Sequence, residues 1–265
     1  MFDLEAYVER VGLSGRPGLV ETHRAHVVSI PFENLDPHGG LPVSLELEDL
    51  QRKLVRGRRG GYCFEQNLLL KGALEALGAR VEPMLARVKL GAPHGVLRPR
   101  THLVLHVEVD GQEWLSDVGF GLGTLPGPVP FGPGDVHELC GWRFRIVEDG
   151  FEHVLQTDIG SEWVDVYSFM PQPAPMIDIE VANWFTSAHP NSPFVTGLII
   201  SIQRSDGTRI ALSDRGELAL TEQTPAGTDV TPVAREEIPH LLETRFALHS
   251  FAIGDDGRVA QIGQA

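Results

Sequence analysis

The chain has 265 residues, of which 42% are hydrophobic and 22% charged, and a formal net charge of -14. This is the composition of a soluble globular protein, long enough for one large domain or about two to three small ones. The charge argues against non-specific binding to nucleic acid or anionic membranes, and no run approaches the roughly 18 apolar residues of a membrane span. The first residues, MFDLEAYVERVGL, are acidic and amphipathic and do not read as a signal peptide, so a cytoplasmic protein is expected.

Residues 1–80 read as helical. One helix is predicted over Leu4–Val11 and a second over Leu19–Ile30, stopped by Pro31. A turn-rich stretch, DPHGGLPVS, leads to a third helical pattern, LELEDLQRKLV. A fourth follows Cys63, with Leu70, Ala73, Leu74 and Leu77 as one apolar stripe and Gly78 as its stop. From Val81 the texture becomes short β-branched or alternating runs separated by turn signals, the pattern of an antiparallel barrel or sandwich. THLVLHVEV, DGQEWLSDVGFG, GWRFRIVEDGFEHVLQTD and EWVDVYSF are the clearest. IDIEVANWFTSAHP returns to helix near Asp178. GLIISIQRSDGTRIAL and GELALTE form hairpin-like pieces, and REEIPHLLETRF a late helix. The result is an α+β chain divided as 1–80 (helices), 81–180 (β) and 181–265 (mixed).

Two cysteines, Cys63 and Cys140, make neither a disulfide framework nor the paired spacing of a zinc site. Cys140, in HELCGWRF, reads as core. Cys63 differs: two glycines precede it, permitting a tight turn, and the helix that follows aims its unpaired N–H groups at the sulfur. The helix dipole, with Arg58 and Arg59 close in sequence, favours negative charge there. Between Arg52 and Arg100 lie 11 of the 22 lysines and arginines but only three acids, Glu65, Glu75 and Glu82. That basic segment is either a solvated face or a site for a small polyanion.

Hairpin geometry supplies a base. Residues 102–109 and 112–119 flank Asp110-Gly111, a strong two-residue turn signal. With those two residues as the whole loop, Val109 faces Gln112 and Asp117 faces Val104, diagonal to His102 on the same face. Diagonal neighbours lie about 7–8 Å apart between backbones, so imidazole and carboxylate can touch. A loop one residue longer would put them on opposite faces. Cys63, His102 and Asp117 thus form the set a thiol nucleophile needs, with the acid fixing the tautomer and the histidine moving protons at the sulfur. His106, on the same face, reads as an ordinary polar residue. His23 and His26, at i and i+3 of a helix, lack a third metal ligand. GFGLGTLPG, from Gly119, lacks the following helix of a dinucleotide fingerprint. NWFTSAHPNSPFVTG reads as plain structure or pocket wall.

RGGYCFEQN, IPFENLD at residues 30–36, THLVLHV, DVGFG and HPNSPFVTG, in this order, resemble the arylamine N-acetyltransferases, and bacterial members of actinobacterial character in particular. The resemblance runs through most of the chain and is densest between residues 30 and 121. It implies an N-terminal helical bundle, a central antiparallel β-barrel and a C-terminal α/β lid, with a cysteine-protease-like triad of Cys63, His102 and Asp117. It also implies Phe32, Val88, Phe120 and Phe194 as apolar walls for an aromatic acceptor, and Thr101 and Gly121 near the acyl donor. The donor would be acetyl-CoA, used as a substrate with no permanently bound cofactor or metal. The acceptor would be an aromatic amine or hydrazine, reached by ping-pong transfer through a Cys63 thioester. Two other functions stay open on the same triad. One is an amide synthase releasing a polyketide chain from a carrier protein, and the other a transglutaminase-like thiol hydrolase. A non-catalytic module that retains the fold would be expected to have lost a triad member.

Overall fold

The structure, a computed structural model, describes residues 2–93, 95–254 and 257–262. Asp3 caps the first helix, α1 (Leu4–Arg10), its carboxylate accepting from the Ala6 N–H. Helix α2 (Leu19–Ser29) ends just before Pro31, as the pattern requires. A two-residue strand, β1 (Phe32–Glu33), and a single turn, α3 (Leu35–His38), follow. The third expected helix is shorter and irregular. It starts as α4 (Leu47–Leu50) and widens into a π-helical turn over Gln51–Arg56, within which Lys53 reaches inward to Asp36 and Glu65. Helix α5 (Cys63–Leu77) begins at the cysteine and ends at Gly78, whose φ of 103° is the left-handed cap. The predicted apolar stripe is present, but residues 63–70 are buried on every side of the helix.

The β part comprises β2 (Arg80–Val88), β3 (His102–Val109), β4 (Gln112–Ser116), β5 (Val129–Pro130), β6 (His137–Leu139), β7 (Trp142–Asp149), β8 (Glu152–Ile159) and β9 (Glu162–Phe169). These pair antiparallel in the order β5-β4-β3-β2-β9-β8-β7-β6 and curl into a nearly closed barrel. Met84, Val104, Phe144, Leu155 and Phe169 fill its interior. Asp110 and Gly111 both have positive φ, 52° and 73°, the conformation that matches strand twist in a two-residue loop. The register is the expected one: Val109 pairs with Gln112, and the ladder runs to Leu105 opposite Ser116.

Cys140 departs from its expected place in the core. Leu139 pairs with Trp142, so Cys140 and Gly141 are themselves a two-residue turn, and the thiol is exposed. An apolar-looking run had hidden a chain reversal.

The C-terminal part holds α6 (Met176–Ala188), α7 (Pro193–Thr196), β10 (Ile199–Gln203), β11 (Arg209–Ser213), β12 (Ala219–Thr224), β13 (Gly227–Pro232), α8 (Ile238–Phe246), and the small hairpin β14 (Phe251–Ile253) with β15 (Val259–Gln261). Strands β10 to β13 form an antiparallel sheet whose other edge strand is β1, from the N-terminal part, with Phe32 opposite Ser201. One core, including Tyr7, Leu54, Phe64, Leu103 and Ile179, joins the helices to both later parts. No helix among the described residues is long and apolar enough to cross a membrane.

Candidate active site

The two glycines before Cys63 serve close approach rather than a left-handed turn, since neither has positive φ. A Cβ on Gly60 would lie 2.0 Å from the Pro31 carbonyl oxygen. One on Gly61 would lie 2.6 Å from a Glu65 carboxylate oxygen. The space is taken because Glu65, two residues into α5 from Cys63, folds back to accept the Tyr62 N–H at 3.0 Å. Its other oxygen accepts from Lys53 Nζ at 2.7 Å. Burial pushes Glu65 up to about 7, against the opposing charge of Lys53.

Cys63 therefore sits at the first position of a helix, 3% exposed, its Sγ 3.7 Å from the Thr101 carbonyl oxygen. His102 follows Thr101 on the adjoining strand, close enough to the cysteine side chain for the sulfur to act on its protonation. Its Nε2 is 2.8 Å from Asp117 Oδ2, which leaves Nδ1 for the sulfur. Asp117 is fully buried just past the end of β4. Its Oδ1 accepts from the Gly119 N–H at 2.9 Å and from Asn67 Nδ2 at 3.0 Å. Burial alone would lower His102. The Asp117 charge and hydrogen bond, with the cysteine contact, more than reverse that and lift it to about 10. Burial alone would raise Asp117, and the His102 charge and the three hydrogen bonds hold it below the ordinary carboxylate range. The three residues expected from helix-start and hairpin reasoning are thus brought together.

Two participants were not anticipated. Asn67, one turn along α5 from Cys63, donates to the Leu103 carbonyl at 2.8 Å as well as to Asp117, and its oxygen accepts from the Val118 N–H at 3.1 Å. The i, i+4 spacing from the cysteine was the available signal. Tyr167 packs its ring 5.1 Å from the His102 ring, with its buried hydroxyl beside Asp117. Among the described residues that hydroxyl closes no hydrogen bond of normal geometry. Nothing in the sequence pointed to it, because β9 meets β3 only through β2.

The other expected residues fall around this centre. Phe120 stands edge-on to His102 at 5.1 Å. Phe32 and Phe194 lie 6.1 Å apart, and Phe194 is 5.6 Å from Tyr62. Gly121 has φ of 83° and backs onto the Phe32 ring and Ser201. Val88 is half-buried at the end of β2, opposite Tyr167. Phe194 comes from the stretch that read as structure or pocket wall, whereas Trp184 in the same stretch is 63% exposed.

Two electrostatic expectations change. Arg59 points away from the sulfur into a buried cluster, pairing with Glu33 and Asp36 at 2.7 Å each. Arg58 is exposed. Of the basic residues between Arg52 and Arg100, all but Arg58 and Arg98 have a carboxylate partner among the described residues. Many of those acids lie outside the segment, which is why the sequence run looked like a free polyanion site. His23 and His26 each have both ring nitrogens engaged. His23 is bound by Ser116 and the Leu125 carbonyl, and His26 by Tyr7 and Gln66.

A model of the N-acetyltransferase family matches residues 17–251. The arylamine N-acetyltransferase of Mycolicibacterium smegmatis is 44% identical over 213 residues, covering 77% of this chain and 78% of that one. That of Mycobacterium tuberculosis H37Rv is 39% identical over 268 residues, covering 96% and 92%. The solved structure of the Mycobacterium marinum arylamine N-acetyltransferase in complex with CoA superposes with a TM-score of 0.88 at 36% identity, covering 93% of each chain. With a family model spanning most of its length and relatives of this identity over nearly all of it, the chain belongs to the arylamine N-acetyltransferase family.

Proposed function

We propose that this protein transfers an acetyl group from acetyl-CoA to aromatic amines or hydrazines through a thioester on Cys63. The observation that carries the reading is a cysteine at a helix start beside a buried histidine whose Nε2 is held at 2.8 Å by a buried aspartate. In the first half-reaction the Cys63 sulfur, its proton on His102, attacks the thioester carbonyl. The N–H groups of the first turn of α5 face the developing oxyanion. The C–S bond to coenzyme A breaks, and the imidazolium returns its proton to the leaving thiolate. In the second half-reaction a neutral amine attacks the acetyl-cysteine, His102 takes its proton, and the Cys63 sulfur leaves.

Asp117 keeps the imidazole oriented and stabilises its charged form. Phe32, Val88, Phe120 and Phe194 are assigned to the acceptor walls, and Thr101 and Gly121 to the donor side. The same reading divides the labour along the chain: residues 1–80 present the nucleophile, 81–180 the histidine and acid, and 181–265 cover them. A nearly buried thioester is also shielded from water, which favours aminolysis over hydrolysis.

Intact mass after brief exposure to acetyl-CoA alone, with Cys63→Ala as control, tests the proposal. An acetyl-sized gain is expected that requires Cys63 and disappears when an arylamine is added. A Cys63 that stays unmodified by acetyl-CoA but is acylated by a larger donor would overturn the acetyl assignment in favour of an amide synthase.

A further inference from the structure

The closest backbone approach in this region lies behind the nucleophile. The strand carrying Phe32 meets the loop just before Cys63 in a single parallel bridge, Phe32 to Gly61, so tight that Pro31 oxygen occupies the space a Gly60 side chain would need. Three carbonyls crowd there away from water. Gln66, 0% exposed, supplies a donor to them: its Nε2 bonds Pro31 oxygen at 2.8 Å, Gly61 oxygen at 3.2 Å and Ile30 oxygen at 3.4 Å.

Carbonyls only accept, so the amide orientation is decided and Gln66 Oε1 must face His26. His26 Nε2–H then donates to it at 2.6 Å, which leaves Nδ1 to accept the Tyr7 hydroxyl at 2.8 Å. Burial holds His26 down to about 3, keeping the ring neutral. Tyr7 and His26 are also 0% exposed. The chain runs from α1 through α2 to α5 and ends on backbone carbonyls. None of its hydrogen bonds falls on Cys63, His102 or Asp117.

We propose that Gln66 is a positioning residue for the acceptor side of the site: held by Tyr7 through His26, it clamps the Phe32 strand to the Gly60-Gly61 loop that leads into Cys63 and so sets where the Phe32 wall stands relative to the sulfur. This rests on the acyl-transfer reading above. The clamp acts on the wall and leaves the proton chemistry to the triad, so loosening it affects the two half-reactions unequally. A misplaced wall penalises acceptors large enough to touch it, because orientation near the reacting atom is lost.

The test uses the full chain with Gln66→Glu, whose carboxylate still accepts from His26 but cannot donate to the carbonyls, and Tyr7→Phe, which removes only the hydroxyl bonded to His26 Nδ1. Acetylation of Cys63 by acetyl-CoA is followed by mass, and transfer is followed with aniline and with a fused two-ring arylamine. In Gln66→Glu the KM for the two-ring acceptor is expected to rise about fivefold to tenfold more than that for aniline, with the acetylation rate within about twofold of wild type. Tyr7→Phe shifts the same ratio in the same direction by less, and keeps the test open should Gln66→Glu fail to fold. Equal slowing of both half-reactions, or an equal effect on both acceptors, overturns the clamp. A wild-type protein that acetyl-CoA does not acetylate counts against the acyl-transfer reading instead.

Discussion

At the scale of single residues, the His102–Asp117 pair has a measurable signature. The folded protein holds a proton on His102 up to about pH 10, whereas an unperturbed histidine releases it near 6.5. The folded state therefore binds more protons than the unfolded state across that window, and this contribution to stability is full below about 6.5 and lost as pH rises towards 10. Asp117→Asn removes the charge responsible. Unfolding free energies from urea titrations of both proteins are expected to differ most just below about pH 6.5 and to converge as pH approaches 10. A gap that stays constant over this range would show that the pair is not coupled as described. Asp117 itself contributes in the opposite sense: its depressed carboxyl stabilises the fold above the ordinary carboxylate range and ceases to do so as acid protonates it.

At the scale of elements, Cys63 and His102 meet because a hairpin and a helix are locked together. The hairpin register was legible in Asp110-Gly111, since a two-residue turn with both φ positive permits only one pairing of the strands it joins. The helix start was legible in the run after Cys63. What joins them was not: Asn67 bonds Leu103 and Asp117 and receives the Val118 N–H, bridging residues 36 to 51 positions away. Asn67→Ala leaves a buried carboxylate oxygen and a buried N–H short of a partner, and should cost about 1–3 kcal/mol of stability. Cys63 acetylation should slow while the KM for the amine changes little. Chemical denaturation and single-turnover acetylation check both expectations, and a fully active variant of unchanged stability would remove Asn67 from the site.

At the scale of the whole molecule, charge and strand exchange tie distant parts of the chain. The net charge of -14 coexists with a basic segment that the fold largely neutralises, much of it with acids from elsewhere: Asp36 and Glu33 for Arg59, Glu152 for Arg87 and Arg100, and Asp165 for Lys89. Long-range attraction of the coenzyme A phosphates is correspondingly weak. Raising salt from about 50 to about 300 mM should change the KM for acetyl-CoA by less than about twofold. A steep salt dependence would mean that the pairs open to receive the donor. The C-terminal sheet is fastened in a similar non-local way. Phe32 and Glu33 add the edge strand, and Arg209, 4% exposed and without a carboxylate partner among the described residues, lies 3.8 Å over the Trp142 ring of the barrel.

The sequence by itself determined where Cys63 sits, which face carries His102 and Asp117, and the order of helical, barrel-like and mixed parts. Helix starts, two-residue turns and alternation are set by interactions within a few residues, so their physics is written locally. Only the tertiary structure decided that Cys140 is a turn, that Arg59 answers to remote carboxylates, that β1 belongs to the C-terminal sheet, and that Tyr7, His26 and Gln66 form one buried chain. Those outcomes depend on which polar groups lose water together, and burial brings together residues that no periodicity along the chain connects.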